Sequence, residues 1–262
     1  TRNEEPGEEG LAHFCEHVTF KGTERRKAWH ILNCLESVGG DLNAYTNKEG
    51  TVYYSAILKE HIARAVDLLS DIVFHSVYPQ AEIDKEVEVI CDEIESYNDS
   101  PAELIYDEFE NILFKGSPLG HNILGTAEQV RSFKTEDALR FTRKLYRPDN
   151  AIFFAYGDID FKKLVRLLQR ALADDESVVN LAEEKLPQIS QITQISWNEN
   201  SIAEEKSVSS VKSVGPENYP SAGKEIAGQT IVMQKNTHQA HVMIGTRAYD
   251  VNDDRRMPLY LL

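Results

Sequence analysis

A short run near the start of the chain places two histidines and a glutamate inside an otherwise apolar stretch. Its pattern is H-x-x-E-H, formed by His13, Glu16 and His17. The apolar residues around it favour a helix, and on a helix two residues four positions apart lie on the same face. Two imidazoles on one face can bind one metal ion, and a neighbouring carboxylate can take a proton from a water on that ion. The run therefore predicts a helix that carries a metal site.

The order of the acid and the histidines is the reverse of H-E-x-x-H, and the reversed order is typical of inverted-zincin peptidases. Five positions alone are a weak match, because His and Glu at helical spacing are also common on solvated helix faces. Leu11, Phe14 and Val18 indicate that part of this helix is buried, and a buried imidazole needs a polar partner. Two structural histidines with local hydrogen bonds remain the alternative interpretation.

A third metal ligand has to come from elsewhere in the chain, because a catalytic zinc site usually has three protein ligands and one open position. The acidic stretch 81–98 is predicted to be helical and offers several carboxylates. Glu86 and Glu93 lie seven residues apart and therefore share one face, two turns apart. The remaining acids are predicted to be solvated: Glu88, Asp92 and Glu95. The residues alone leave Glu86 and Glu93 as the candidates.

At this point the chain resembles the pitrilysin/insulinase family of zinc metallopeptidases, which includes the mitochondrial processing peptidases and bacterial processing proteases. The likeness extends beyond H-x-x-E-H to the run F-K-G-T at 20–23 and to the stretch 39–53. It covers about positions 1–178. More thinly, 235–247 is similar to the opening strand of the family's second homologous domain.

The resemblance implies Zn²⁺ as the cofactor and assigns a role to each residue of the candidate site. The metal ligands would be His13, His17 and Glu93. Glu16 would be the general base that activates water, and Glu86 would be a second catalytic residue that orients a histidine ligand or supports the surroundings of the ion. These assignments favour Glu93 over Glu86 as the third ligand.

The same resemblance implies how the substrate is held. Asn43 and Ala44 would lie on an edge strand to which a peptide or an unfolded polypeptide segment adds as a further strand. The expected function is therefore that of a zinc-dependent endopeptidase. Two alternatives are a fragment that binds metal but is catalytically inactive and a non-catalytic partner or structural subunit of a processing-peptidase-like complex.

The predicted fold class is α+β, with helices packed on an antiparallel-rich sheet in a metallopeptidase domain of the pitrilysin/processing-peptidase type. Residues 1–178 would form the zinc metallopeptidase N-terminal domain without its first strands. The polar, serine-rich stretch 179–228 reads as a linker. Residues 229–262 would begin a second, truncated homologous domain.

Periodicity and turn residues predict the individual elements. Thr23 is expected to N-cap a helix that ends before Gly39, and a hairpin is expected at 41–47 and 51–58. A strand at 151–156 should be buried. Further helices are predicted at 62–73, 102–114, 135–146 and 161–173, and further strands at 188–197, 230–233 and 240–245.

Charge and cysteine content limit the classes of partner and the cellular compartment that are expected. Lys and Arg number 28 against 43 acids, a net charge of −15, which argues against a nucleic-acid partner or an anionic membrane surface. Three cysteines form no disulfide framework, so a reducing, cytoplasmic compartment is favoured. Cys15 lies between the two histidines and can point to the core or to the cleft.

The ends of the chain suggest a piece of a longer protein, because it begins with Thr1 and closes on an apolar run. A second homologous half or a partner subunit is therefore expected, in a homodimer or a heterodimer. A family arginine and tyrosine pair that holds the substrate carbonyl would come from that half. A rival site at His238 and His241 is disfavoured, because residues three apart on a strand point to opposite faces.

Overall fold

The structure is a computed structural model, and it describes residues 1–173, 230–234, 239–249 and 253–256. Helices dominate this part of the chain, together with one antiparallel hairpin. The elements in chain order are α1 (Leu11–Thr19), α2 (Ala28–Glu36), β1 (Asn43–Thr46), β2 (Thr51–Tyr54), α3 (Ile62–Phe74), α4 (Gln80–Asn98), α5 (Pro101–Leu113), α6 (Ala127–Ser132), α7 (Thr135–Leu145) and α8 (Phe161–Ala171). Helices packed with an antiparallel sheet confirm the predicted α+β class.

The hairpin of β1 and β2 is where the sequence placed it, although both strands are shorter than predicted. Asn43 pairs with Tyr54 and Thr46 pairs with Thr51. The turn is closed by the side chain of Asn47, whose Oδ1 accepts hydrogen bonds from the backbone N–H groups of Glu49 and Gly50. This local bonding explains why a Lys-Glu-Gly turn can reverse the chain here.

The first hydrophobic core surrounds α1, the helix that carries the H-x-x-E-H run. One side of α1 is fully buried against the apolar faces of α4 and α7. Residues that contribute include Leu11, Phe14, Cys15 and Val18 from α1, Ile83 and Ile90 from α4, and Phe141 from α7. Burial of one side fixes which face of α1 is left for chemistry, since residues three and four apart share a face.

A second core joins α2 to α3 beneath the hairpin. Ile31 and Leu35 of α2 pack against Leu68 and Ile72 of α3, and all four are fully buried. The prediction that Thr23 N-caps this helix is wrong, because α2 begins later, at Ala28, and its N-cap is Lys27. The Thr23 hydroxyl instead donates to the buried carboxylate of Asp71 on α3.

The start of α1 depends on a glycine. Gly10 precedes the helix with φ +92°, a left-handed conformation that favours glycine. A Cβ at this position would lie 2.6 Å from the carbonyl oxygen of Leu124 and 2.8 Å from Cα of Gly125. The close approach of these two segments therefore requires glycine.

The side chain of Glu4 satisfies free backbone N–H groups at the same end of α1. Its Oε1 lies 2.7 Å from Ala12 N, and its Oε2 accepts from Gly10 N at 3.3 Å. Oε2 also lies 2.6 Å from Nε2 of His121. The two residues lie 117 positions apart in the chain, so sequence spacing does not indicate this contact. A carboxylate at a helix N-terminus stabilises the helix.

The predicted buried strand at 151–156 is wrong in both respects. This segment has no strand assignment, and its side chains are exposed, with Ile152 at 95% and Phe154 at 87%. Its apolar composition favours a strand, but a strand forms only where a neighbour pairs with it. Within the described residues no element pairs with this segment.

The remaining predictions fall partly outside the described residues. The 179–228 linker, the strand at 188–197 and the boundary near 178 all lie there, so the domain division stays a prediction. Residues 230–233 and 240–245 are described but are not in strands. Among the described helices, none combines the length and apolar character that crossing a bilayer requires.

Candidate metal centre

Two helices bring the predicted ligands together. His13 and His17 project from the same face of α1, with ring centroids 4.6 Å apart, and Glu93 projects toward them from α4. Glu93 Oε1 lies 3.7 Å from His13 Nε2, and Glu93 Oε2 lies 3.2 Å from His17 Nε2. One ligand atom from each residue falls within 4.8 Å of the others.

This donor set fits a catalytic zinc ion. Two imidazole nitrogens and one carboxylate are a combination found in zinc sites that keep a position open for water. In the part of the chain that the structure describes, no other group of three His, Cys, Asp or Glu residues brings its donor atoms so close. His13 is also buried, and its Nδ1 has no hydrogen-bond partner there.

The two histidines differ in charge without a metal. Burial lowers the pKa of His13 to about 4, with a further contribution from His17. Burial also disfavours the charged form of His17, but hydrogen bonds with Glu86 and Glu93 outweigh it and raise the His17 pKa to about 9. Without a metal at neutral pH, His17 is therefore the charged imidazolium, whereas His13 is the neutral imidazole.

Glu86 does not join the converging donors but contacts His17 from the other side. Its Oε1 lies 3.0 Å from His17 Nδ1, and its Oε2 lies 2.6 Å from Lys21 Nζ. Burial would raise the pKa of this carboxyl, but hydrogen bonds with His17 and Lys21 lower it overall. The sequence predicted that Glu86 faces the site but missed Lys21, since their contact links distant positions.

Glu16 lies beside the ligands and is half-buried. Burial raises its pKa, although a hydrogen bond from the hydroxyl of Thr46 partly opposes this. The Thr46 hydroxyl also lies 3.1 Å from that of Thr51 on β2. The sequence pattern does not indicate this role of Thr46. Its place two residues after Ala44 on a strand was the available signal, because alternate residues of a strand share a face.

Asn43 and Ala44 are the first two residues of β1. Asn43 is exposed, and its Oδ1 accepts a hydrogen bond from the backbone N–H of Ala44 at 2.8 Å. In the described part of the chain, β1 pairs only with β2 and so presents a free edge. No hydrogen bond joins either residue to His13, His17 or Glu93, so their connection to the site runs through Thr46 of the same strand.

Cys15 points to the core. Its side chain is fully buried among the residues of the first hydrophobic core, and burial raises the thiol pKa well above its usual range. The alternative orientation, toward the cleft, is therefore excluded.

Comparison with known proteins gives two adjoining family matches. The family model described as insulinase (peptidase family M16) matches residues 1–127, and the one described as peptidase M16 inactive domain matches residues 132–262. An uncharacterized zinc protease of Rickettsia bellii is 43% identical over 170 residues, covering 65% of this chain and 41% of that protein.

Two further relatives extend the comparison. The mitochondrial-processing peptidase subunit beta of Saccharomyces cerevisiae is 38% identical over 170 residues, 65% of this chain and 37% of its own length. An uncharacterized zinc protease of Streptomyces coelicolor is 29% identical across 100% of this chain and 51% of that protein. The chain thus spans about half the length, or less, of these relatives.

Solved structures with the same fold include a protease from Helicobacter pylori. It superposes with a TM-score of 0.63 at 25% identity, over 66% of this chain and 42% of that chain. A periplasmic protease of Escherichia coli gives a TM-score of 0.60 at 26% identity, over 66% of this chain and 20% of that chain.

Proposed function

Because the chain belongs to the M16 insulinase family of peptidases, we propose that it carries the metal site of a zinc-dependent endopeptidase. The observation that supports this most directly is the convergence of His13, His17 and Glu93 from two helices onto one point. Relatives named as zinc proteases support zinc as the metal. A purely structural role would explain the contacts of His17 with Glu86 and Glu93, but it leaves the buried His13, whose Nε2 is 3.7 Å from Glu93 Oε1, without a close polar partner.

In this proposal His13, His17 and Glu93 hold the metal. When bound there, zinc supplies Lewis acidity, which lowers the pKa of a coordinated water and polarises a carbonyl. Glu16 accepts the proton of the attacking water and returns it to the leaving amine. Glu86 orients the ring of His17 through Nδ1.

The proposed substrate is an extended peptide or an unfolded polypeptide segment. It would add to the free edge of β1 at Asn43 and Ala44, held mainly through backbone hydrogen bonds. Thr46, on the same strand, contacts Glu16. Strand β1 would thus position both the substrate strand and the general base.

A partner subunit or a second homologous half completes the proposed enzyme. One relative is named as a subunit of a mitochondrial-processing peptidase, and the chain spans only part of each relative. A second candidate function is therefore metal binding without turnover by this chain alone. The match of residues 132–262 to a domain described as inactive favours keeping that candidate.

Zinc binding by matched variants tests the proposal. The wild-type chain should bind one zinc ion per chain, and Glu93→Gln should lose most of it, because a neutral amide is a poor zinc ligand. Glu95→Gln is the control, since Glu95 is exposed on the same helix. The measurement is metal stoichiometry after dialysis, with Glu86→Gln in parallel. Full stoichiometry in Glu93→Gln with loss in Glu86→Gln would reverse the ligand assignment.

Hydrolysis of a fluorogenic peptide separates the two candidate functions. Activity that disappears in Glu16→Gln, with zinc content unchanged, supports the endopeptidase. Zinc binding without such activity supports the metal-binding chain, and addition of the remaining half should then restore turnover. A chain that binds no zinc contradicts both.

A further inference from the structure

The carboxylate of Glu86 is shared between two groups at one end of α1. Oε1 lies 3.0 Å from His17 Nδ1, and Oε2 lies 2.6 Å from Lys21 Nζ. Lys21 follows the helix closely, and its backbone N–H donates to the carbonyl of Val18 at 3.1 Å. Lys21 and His17 are four positions apart, so both reach the same side chain on α4.

We propose that Lys21 is a positioning residue of the metal site. It fixes the Glu86 carboxylate, and the carboxylate in turn fixes the His17 ring with Nε2 directed at Glu93. This inference rests on the proposed metal site and adds a contact that the H-x-x-E-H pattern does not contain.

The geometry of the imidazole gives the first argument. A neutral imidazole has one N–H donor and one acceptor nitrogen, and a metal can use only the acceptor. When Glu86 accepts from Nδ1 of His17, the lone pair is left on Nε2, which lies 3.2 Å from Glu93 Oε2. A partner that holds Glu86 therefore also selects the nitrogen that faces the metal.

Side-chain freedom gives the second argument. A glutamate side chain has three rotatable bonds, and one hydrogen bond to a ring that can itself rotate leaves both groups mobile. The second contact, from Lys21 to the other oxygen, fixes the plane of the carboxylate. Ligands that are held in place before the metal arrives lose less entropy when it binds.

Burial and charge give the third argument. The side chain of Glu86 is only 12% exposed, and a carboxylate removed from water is costly unless it is paired. As a metal ligand, His17 is neutral, so it no longer provides a positive charge beside the Glu86 carboxylate. Among the ion pairs of the described residues, Lys21 is then the cation that remains on Glu86. Lys21 therefore keeps its function when the site is loaded.

A lysine on α4, the helix that carries Glu86, provides the matched control. Lys85 pairs with Glu82 at 2.8 Å on α4, but its side chain is 71% exposed and this ion pair lies outside the site. Surface pairs of this kind contribute little to stability. If Lys21 only linked α1 to α4, its removal would change stability without a specific effect on the metal.

The experiment measures zinc affinity of the full chain by competition with a chromophoric chelator. Lys21→Met should weaken zinc binding by about tenfold or more, the range seen when partners of metal ligands are removed. The zinc affinity of Lys21→Arg should stay close to that of the wild type, because arginine retains the cation. The zinc affinity of Lys85→Met should equal that of the wild type. The visible spectrum of the Co²⁺-substituted protein should change in Lys21→Met, since it reports ligand geometry.

The outcomes are distinct. Lys21→Met with wild-type zinc affinity and an unchanged Co²⁺ spectrum overturns the proposal, and so does an equal loss in Lys21→Arg. If Lys21→Met does not fold, as judged by the thermal transition of the metal-free protein, Lys21→Gln replaces it under the same criteria. Failure of the wild-type chain to bind zinc would instead refute the proposed function itself.

Discussion

At the scale of single residues, the two histidines of one helix face are not equivalent. The side chain of His13 is 9% exposed and that of His17 is 21% exposed, but only His17 has carboxylate partners at both ring nitrogens. His13 has one distant carboxylate and an unpaired Nδ1. The difference in partners explains why one pKa is lowered and the other is raised.

This asymmetry predicts that zinc binding near pH 7.5 releases about one proton per chain, because a metal requires neutral imidazole. The proton comes from His17, whose pKa in the metal-free site is about 9, whereas His13 is already neutral and Glu93 already ionised. Calorimetry in buffers with different ionisation enthalpies measures this number.

The sign of the pH dependence follows from the same group. Below the pKa of His17 the proton competes with zinc, so apparent affinity should rise about tenfold per pH unit from pH 7 toward pH 9 and then level off. A flat profile over this interval would show that His17 is neutral in the metal-free protein.

Burial of Cys15 predicts low reactivity of its thiol in the folded chain. The thiolate is the reactive form, and both burial and the raised pKa oppose it. Iodoacetamide at pH 8 should modify the half-buried Cys34 at least about tenfold faster than Cys15. Peptide mass spectrometry of partly labelled protein measures both rates. In denaturant the difference should disappear, and equal rates in the native protein would contradict the core position.

At the scale of elements, α1 is fixed at both ends by residues that are not metal ligands. Gly10 and Glu4 hold its start, and the contact of Lys21 with α4 holds its end. The ligand-bearing face therefore has little freedom to rotate. A helix held in this way presents its side chains in a constant orientation, which metal coordination requires.

Gly10→Ala should lower the free energy of unfolding by about 2–4 kcal/mol, because of the left-handed backbone and the steric overlap with Leu124. Gly7→Ala separates these two causes, because Gly7 has nearly the same φ, +94°, with nothing near its Cβ position. Gly7→Ala should cost about 1 kcal/mol. Urea unfolding of both variants measures the difference, and equal losses would mean that the overlap is relieved.

The helices were predictable from sequence because their apolar residues repeat locally, as in α3 and α4. For the candidate site, spacing placed Glu86 and Glu93 on one helix face, and the family resemblance favoured Glu93 as the ligand. Lys21, Thr46 and the pair of Glu4 with His121 were not predictable, because they join positions that only the tertiary fold brings together.

At the scale of the whole molecule, several apolar segments in the described part of the chain remain exposed, around Val232, around Ile244 and at 152–156. Ile152, Phe154 and Tyr156 are each at least 87% exposed, in an extended stretch without a paired strand. Unpaired backbone and exposed apolar side chains together favour association with another chain.

The chain should therefore self-associate reversibly at concentrations on the order of tens of micromolar, in the weak range typical of small interfaces. Phe154→Glu should shift it toward the monomer. Trp29→Glu, a change on the exposed surface of α2, should not. Sedimentation velocity over a concentration series measures the effect. An unchanged profile in Phe154→Glu would remove this segment from the interface.

The ligands come from two helices that lie far apart in sequence, and this has a thermodynamic consequence. An unfolded chain cannot keep His13, His17 and Glu93 together, so zinc would bind the native state alone. Such selective binding stabilises the native state by about 4 kcal/mol when free zinc exceeds the dissociation constant a thousandfold. The melting temperature of the chain would then report the free zinc concentration around it.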